Sequence, residues 1–360
     1  MPQTPLVDVR AQYAPLLEEM KERIAEVIDS GTFILGPNVR AFEQEAADYL
    51  GVPHTVGVAN GTDALVLALD ALDIGPGDEV ICPAFTFYAT AESIARRGAT
   101  PVFADIDPVT LNIDPEDMAA RVTDRTKALM PVHLFGRPAP LAELAELGVP
   151  IVEDAAQAFG APGVAQTGVV STFSFFPTKN LFCLGDGGLI AVRDEELAER
   201  IRLLRFHGSK AKKDFHYVGY NSRLDELQAG VLRLFLTHLD GWNEARREAA
   251  ARYAALGLGD VCELPAEDPA HVLHMYVVRS PERDRIAAAL KEAEIACASY
   301  YVTPLHMQPA LRYLGYREGD LPATEEAARQ NLALPMWAGI GAEVQERVVA
   351  TVRDAAGVRV

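Results

Sequence analysis

The stretch FSFFPTKNLFCLGDGG, residues 173–188, holds one lysine, Lys179, among apolar and aromatic side chains and just ahead of a glycine-rich turn. An ammonium is strongly hydrated, so such a setting costs free energy unless the charge is paired or removed. Condensing the amine with a carbonyl removes it, and pyridoxal phosphate is the carbonyl cofactor that a lysine commonly anchors, its ring acting as an electron sink. That chemistry makes further demands. The pyridine nitrogen needs a carboxylate beside it to stay protonated, the phosphate needs amides and hydroxyls, and the ring needs a flat neighbour. Asp154 in VPIVEDAAQAFGA, at the end of an apolar run, meets the first demand. Gly61 and Thr62 in NGTDALVLALDAL open a helical pattern whose N-terminal amides and dipole suit an anion. Ser174, just upstream of the lysine, adds a hydroxyl, and Phe87 or Tyr88 in CPAFTFYATA can cover the ring. Taken singly each has a plainer use: a helix cap, an ion-pair partner, a core aromatic, a surface lysine. Their order and spacing decide between the two.

The elements that must bring these residues together are legible as apolar runs. DEVICP, TPVFADI, KALMPVHL, VPIVEDAA, STFSFF and GLIAV alternate with helix-like stretches or loops, the pattern of an α/β domain with a largely parallel sheet. His133, Asp154, Thr178 and Lys179 follow the ends of such runs, and ligands of open α/β sheets bind beyond the carboxyl ends of the strands. An amphipathic helix is expected from about Leu16 to Ser30. NSRLDELQAGVLRLFLTHLDGWNEARREAAARYAAL reads as one long helical region capped by Asn221 or Ser222. Beyond it the pattern changes to a smaller α+β unit, which divides the chain into a large domain over 1–240 and a small one over 241–360.

Composition sets the outer limits. With 360 residues, 49% hydrophobic and 23% charged, the chain can bury a large core. A net charge of −18 disfavours nucleic acid and acidic membrane surfaces as partners. The one basic cluster, RFHGSKAKKDFHY from Arg205 to Tyr217, suits either a phosphate-bearing ligand or a solvated loop. The four cysteines have no zinc spacing, so no metal is expected, and reduced thiols in a cytoplasmic protein are. No signal peptide or membrane-length apolar run appears.

The motifs ANGTDALVLAL, GPGDEVICPAFTFYATAESI, TKALMPVHLFG, VEDAAQAFGA, FSFFPTKNLFCLGDGG and GYNSRLDELQAGVL, in this order, resemble the DegT/StrS-type sugar aminotransferases over nearly the whole chain. The resemblance implies a fold-type I enzyme with a large domain and a smaller C-terminal one. In it Lys179 matches the Schiff-base lysine, Asp154 and Gln157 the partners of the ring nitrogen and 3-hydroxyl, and Gly61, Thr62 and Ser174 the phosphate cradle. Phe87 matches the stacking aromatic. Asn221 matches an asparagine that reaches the phosphate from a neighbouring subunit, which implies a homodimer with shared sites. The implied reaction is ping-pong: L-glutamate loads the cofactor as pyridoxamine phosphate, and a nucleotide-linked keto-sugar takes the amine. The motifs favour C3 of a dTDP-3-keto-6-deoxyhexose or UDP-3-keto-hexosamine over a C4 ketone or a cyclitol (inosose). A non-catalytic sensor that binds the cofactor is the alternative from another class. Substrate contacts are expected from Phe33, Lys212, Tyr217, Tyr300, Tyr301 and His306, and Tyr300 stands where relatives often carry histidine, a departure that bears on sugar specificity.

Overall fold

A computed structural model of the chain describes residues 3–357. The six apolar runs form β2 (Glu79–Pro83), β3 (Thr100–Ala104), β4 (Thr126–Leu129), β5 (Val152–Asp154), β6 (Val170–Ser174) and β7 (Gly188–Val192), and a strand outside those runs, β1 (His54–Val58), precedes them; its sequence HTVGV mixes polar residues and glycine with valine. Two ladders, β1-β7-β6-β5 and β3-β2-β4, are joined by the parallel bridges Leu129–Ile151 and Val132–Asp154. Strands β2, β3 and β4 run parallel, as do β5 and β6, while β7 is antiparallel to both its neighbours. Because β7 runs against the rest, its first residue, Gly188, lies at the same end of the sheet as the last residues of β1 and β6, Val58 and Ser174. That end is where the chemistry-bearing residues collect.

The strands are buried on both faces, which is why they read as continuous apolar runs. The helix Gly61–Ala71 is rich in Ala and Leu, strong helix formers, and Leu65, Leu67 and Leu69 are all buried beneath the sheet. Each such leucine contributes about 1.5–3 kcal/mol on leaving water. The N-terminal helix spans Leu17–Ser30 and ends on Gly31 in the left-handed conformation.

The long helical region differs from its expected form. It is two helices, Glu226–Leu236 and Leu239–Ala255, and the Thr237 hydroxyl bonds back to the Leu234 carbonyl at the break. Asn221 and Ser222 do not cap it. They lie in an extended stretch that bridges Phe206, and Ser222 Oγ accepts from the Ala59 amide. The first helix begins only at Glu226, whose buried carboxylate accepts from the Asn38 and Val39 amides at the start of another helix, Pro37–Leu50. A carboxylate at that position meets both the free amides and the dipole.

Beyond this point β8 (Tyr276–Arg279) and β9 (Asn331–Leu334) pair antiparallel, with the helices Arg283–Glu292 and Ala342–Ala355 packed around them. The helix Leu239–Ala255 joins the two cores: Leu239 and Trp242 pack in the first, Ala249 and Tyr253 in the second. The N-terminal segment crosses over as well, through Thr4–Ile295 pairing and the Met336 amide on the Leu6 carbonyl.

Candidate active site

A cavity of about 900 Å³ opens at the carboxyl end of the sheet, and Lys179 and Asp154 face into it. Asp154 is the last residue of β5 and is buried; its Oδ2 accepts from the Thr90 hydroxyl at 2.8 Å and its Oδ1 from the Ala156 amide at 3.2 Å. Burial raises its pKa above the usual carboxylate value, against the pull of Thr90, Ala156 and the Lys179 charge. Lys179 sits in a turn held by its amide on the Phe176 carbonyl at 2.8 Å. The surface it keeps faces the cavity, and burial pushes its ammonium down to about 8, with Asp154 opposing the shift. A lysine neutral for part of the time near neutral pH can act as nucleophile and as proton carrier.

The turns on either side explain the rest of the opening motif. Leu181 and Cys183 are core residues, and burial pushes the Cys183 thiol up to about 12. Asn180 donates to Asn243 Oδ1 at 2.6 Å and to the Val272 carbonyl at 2.8 Å, tying the lysine's turn to the helix Leu239–Ala255. A side chain on Gly188 would collide with the Asn60 carbonyl, so the final glycine of GDGG lets β7 pass the loop that opens the helix Gly61–Ala71.

In that helix the Asn60 side chain caps the Asp63 amide at 2.8 Å, and helix geometry leaves the Gly61 and Thr62 amides without intrahelical acceptors. Both residues line the cavity, as does Ser174, which lies so close to Gly61 that a Cβ there would fall 2.7 Å from the serine's own. Phe87 and Phe176 are exposed on the cavity wall. Gln157 accepts the Phe135 amide at 2.8 Å and donates to the Tyr301 hydroxyl at 3.2 Å. Phe135 and Tyr301, both on the wall, hold φ of 54° and 56°, left-handed conformations that are strained for aromatic residues.

The cavity thus gathers Lys179, Asp154, Gly61, Thr62, Ser174, Phe87, Gln157, Tyr300 and Tyr301. It does not gather the others. Phe33 is exposed next to the Ile34–Asp225 bridge, its carbonyl accepting the Glu226 amide at 3.0 Å. Lys212 lies over the Phe206 ring, and Tyr217 lies under Arg200 in the same basic loop. Asn221 is exposed and accepts from Arg223. His306 is buried against Glu325 at 3.2 Å.

Three residues that matter here escape a linear reading. Thr86 and Thr90, one helical turn apart on the segment after β2, are polar positions in the apolar CPAFTFYATA, and Thr90 reaches Asp154. His274 also lines the cavity. His133, by contrast, is turned away: its Nδ1 accepts the Ala139 amide at 2.9 Å, so its Nε2 donates to the buried Glu153 at 3.0 Å. Burial alone would raise Glu153; the hydrogen bonds from His133 and from the Ala165 and Gly168 amides outweigh it and hold the carboxyl below its ordinary value. This buried pair stiffens the strand end that carries Asp154. No group of His, Cys, Asp and Glu among the described residues could hold a metal ion, and none of their helices is long and apolar enough to cross a membrane.

Residues 16–353 match the DegT/DnrJ/EryC1/StrS aminotransferase family. The chain belongs to this family. It is 48% identical to a pleiotropic regulatory protein of Geobacillus stearothermophilus, over 97% of this chain and 98% of that protein. It is 44% identical to a UDP-N-acetyl-3-dehydro-α-D-glucosamine 3-aminotransferase of Acidithiobacillus ferrooxidans, over 97% of each. Its structure superposes on the crystal structure of Streptomyces venezuelae DesV in complex with a ketimine intermediate, with a TM-score of 0.96, 43% identity and complete coverage of both chains. The fold is therefore that of the fold-type I aminotransferases, and the chain is a pyridoxal phosphate-dependent aminotransferase.

Proposed function

We propose that this enzyme moves the amino group of L-glutamate to C3 of a nucleotide-linked keto-sugar, carried on dTDP or UDP. The observation that carries the reading is the partly buried Lys179, with its depressed pKa of about 8, facing the same cavity as the buried Asp154.

The residues present fit the cofactor. A carboxylate as buried as Asp154 is costly with only two hydrogen bonds, and a pyridinium beside it would offset that cost. The Gly61 and Thr62 amides with the Ser174 hydroxyl would hold the phosphate, Gln157 the 3-hydroxyl, and Phe87 a ring face. When bound, pyridoxal phosphate supplies the electron sink and carries the amino group between the two half-reactions. Lys179 Nζ takes a proton from the α-carbon of glutamate in the first half-reaction, and in the second it delivers one to C3 of the sugar. Thr90 holds Asp154 in place for both.

The functional unit in this reading is a homodimer. Phe33, Ile34, Leu184, Phe215 and Val218 are exposed large apolar residues in segments near Asn221: Ile34 pairs with Asp225, and the Leu184 amide bonds to Gln228. Such exposure marks an interaction surface. A second copy seated there would cover it and bring its own Asn221 towards the phosphate, with Lys212 and Tyr217 of the basic loop facing the diphosphate. Residues 1–240 and 241–360 form the large and small domains, and the enzyme works in the cytoplasm. The purified protein with pyridoxal phosphate is expected to absorb near 400–430 nm, as lysine-bound pyridoxal phosphate does, and to shift towards 330 nm on adding glutamate. A protein that stays colourless with added cofactor would contradict the reading.

A further inference from the structure

His274 is a cavity-lining group to which no part has been assigned. It stands two residues before β8, is buried, and shares the cavity with Lys179. Its backbone is fixed. The carbonyl accepts from Arg246 at 3.4 Å, and the amide lies against Gly136, where any added Cβ would come within 2.9 Å. Its ring is not. Nδ1 is sealed from solvent without a partner, and neither ring nitrogen has a hydrogen-bond partner among the described residues. A buried polar side chain left unpaired costs free energy, and this one borders the space a substrate enters.

Burial holds the imidazole pKa well below its ordinary value, helped by the Lys179 and Arg246 charges, so the ring is neutral and carries one N–H. Of the two orphan states open to the sealed Nδ1, a bare lone pair is the less costly, since orphaned N–H groups are the rarer kind. The proton then sits on Nε2, the ring nitrogen that is not the sealed one. The acids lining the cavity are Asp154 and Asp186, and no arginine lines it among the described residues. With Lys179 engaged at the reacting carbon, this chain's own lining offers a dicarboxylate amine donor neutral N–H and O–H donors.

We propose that His274 Nε2–H donates a hydrogen bond to a carboxylate of the amino-acid donor. This rests on the reading of glutamate as donor. Glutarate, an unreactive dicarboxylate, is the probe. On the cofactor-loaded enzyme, His274→Phe is expected to weaken glutarate binding about tenfold or more, the effect of losing a hydrogen bond to a charged group. His274→Gln, whose amide nitrogen takes the place of Nε2, should stay within about threefold of wild type, while His274→Asn, which reaches only the Nδ1 position, should behave as the phenylalanine variant. Affinity for UDP or dTDP should not move. In wild-type enzyme labelled with ¹⁵N-histidine, one buried imidazole should be an Nε2–H tautomer whose resonance shifts when glutarate is added. Unchanged glutarate affinity in His274→Phe, a loss that falls on the nucleotide instead, or an Nδ1–H tautomer for this ring would overturn the proposal. Loss of the 400–430 nm band in the wild type would instead overturn the cofactor reading beneath it.

Discussion

Replacing Gly61 by alanine probes the cavity at a single atom. A Cβ there would lie 2.7 Å from Ser174 Cβ, 3.2 Å from its Oγ and 3.3 Å from its Cα. Carbon atoms rest about 3.5–4.0 Å apart, so the start of the helix and the end of β6 must separate by roughly 1 Å. Overpacking of this kind costs about 1–3 kcal/mol. The groups displaced are the Gly61 and Thr62 amides and the Ser174 hydroxyl, so the cost falls on phosphate binding. At about 1.4 kcal/mol per factor of ten, the dissociation constant of pyridoxal phosphate should rise about 5- to 150-fold. Fluorescence titration of the apoenzyme measures it, and a thermal melt of the same apoenzyme reports the strain separately. The double variant Gly61→Ala, Ser174→Gly removes the colliding Cβ and should melt closer to wild type, yet it should still bind the cofactor weakly because the hydroxyl is gone. Wild-type cofactor affinity in Gly61→Ala would refute the assignment of this corner to the phosphate.

Three further outcomes follow from the same geometry. In the apoenzyme, modification of Lys179 by an amine-selective reagent, followed by peptide mapping, should speed up about tenfold per pH unit up to pH about 8 and level off above it, because only the neutral amine reacts; a rise continuing to pH 10 would contradict the depressed value. Glu153→Leu leaves the Ala165 and Gly168 amides and His133 without their acceptor and should cost about 3–5 kcal/mol of stability in urea melts. The folded pKa of Glu153 is depressed, so its contribution is present above the unfolded value of about 4.3 and is lost as pH falls through the folded one; the gap between wild type and variant should narrow in acid. Lys179→Ala and Asn221→Ala, each inactive alone, should regain about a quarter of wild-type activity when unfolded together and reassembled, because half of the random dimers then hold one intact site of two; no recovery would contradict a shared site.

Much of the site is legible because each residue sits at a punctuation point of its segment. Lys179 and Asp154 interrupt apolar runs, and Gly61 and Thr62 open a helix, so their types stand out against their surroundings. Thr90 does not stand out: a threonine inside a helix is unremarkable until the fold brings Asp154 to it across 64 positions of chain. His274 is hidden in the same way, since HVLHMYVVRS offers two histidines and only tertiary packing separates them. His271 bonds to the Phe135 carbonyl, and His274 faces the cavity unpaired. Strands β2 to β7 were legible from their apolar runs, but β1, with its mixed sequence HTVGV, and the break at Thr237 were not. Helical periodicity continues across it, and no glycine or proline marks it.

The central claim is amine transfer at C3 of a nucleotide-linked sugar, and running the reaction in reverse tests it most directly. Enzyme loaded with pyridoxal phosphate is given 2-oxoglutarate and, in parallel, 3-amino and 4-amino sugars on dTDP and UDP, and glutamate formation is measured. Glutamate from the 3-amino compounds, at rates well above the 4-amino ones and abolished by Lys179→Ala, is the expected result. Preference for the 4-amino sugars, or turnover that survives in Lys179→Ala, would contradict it.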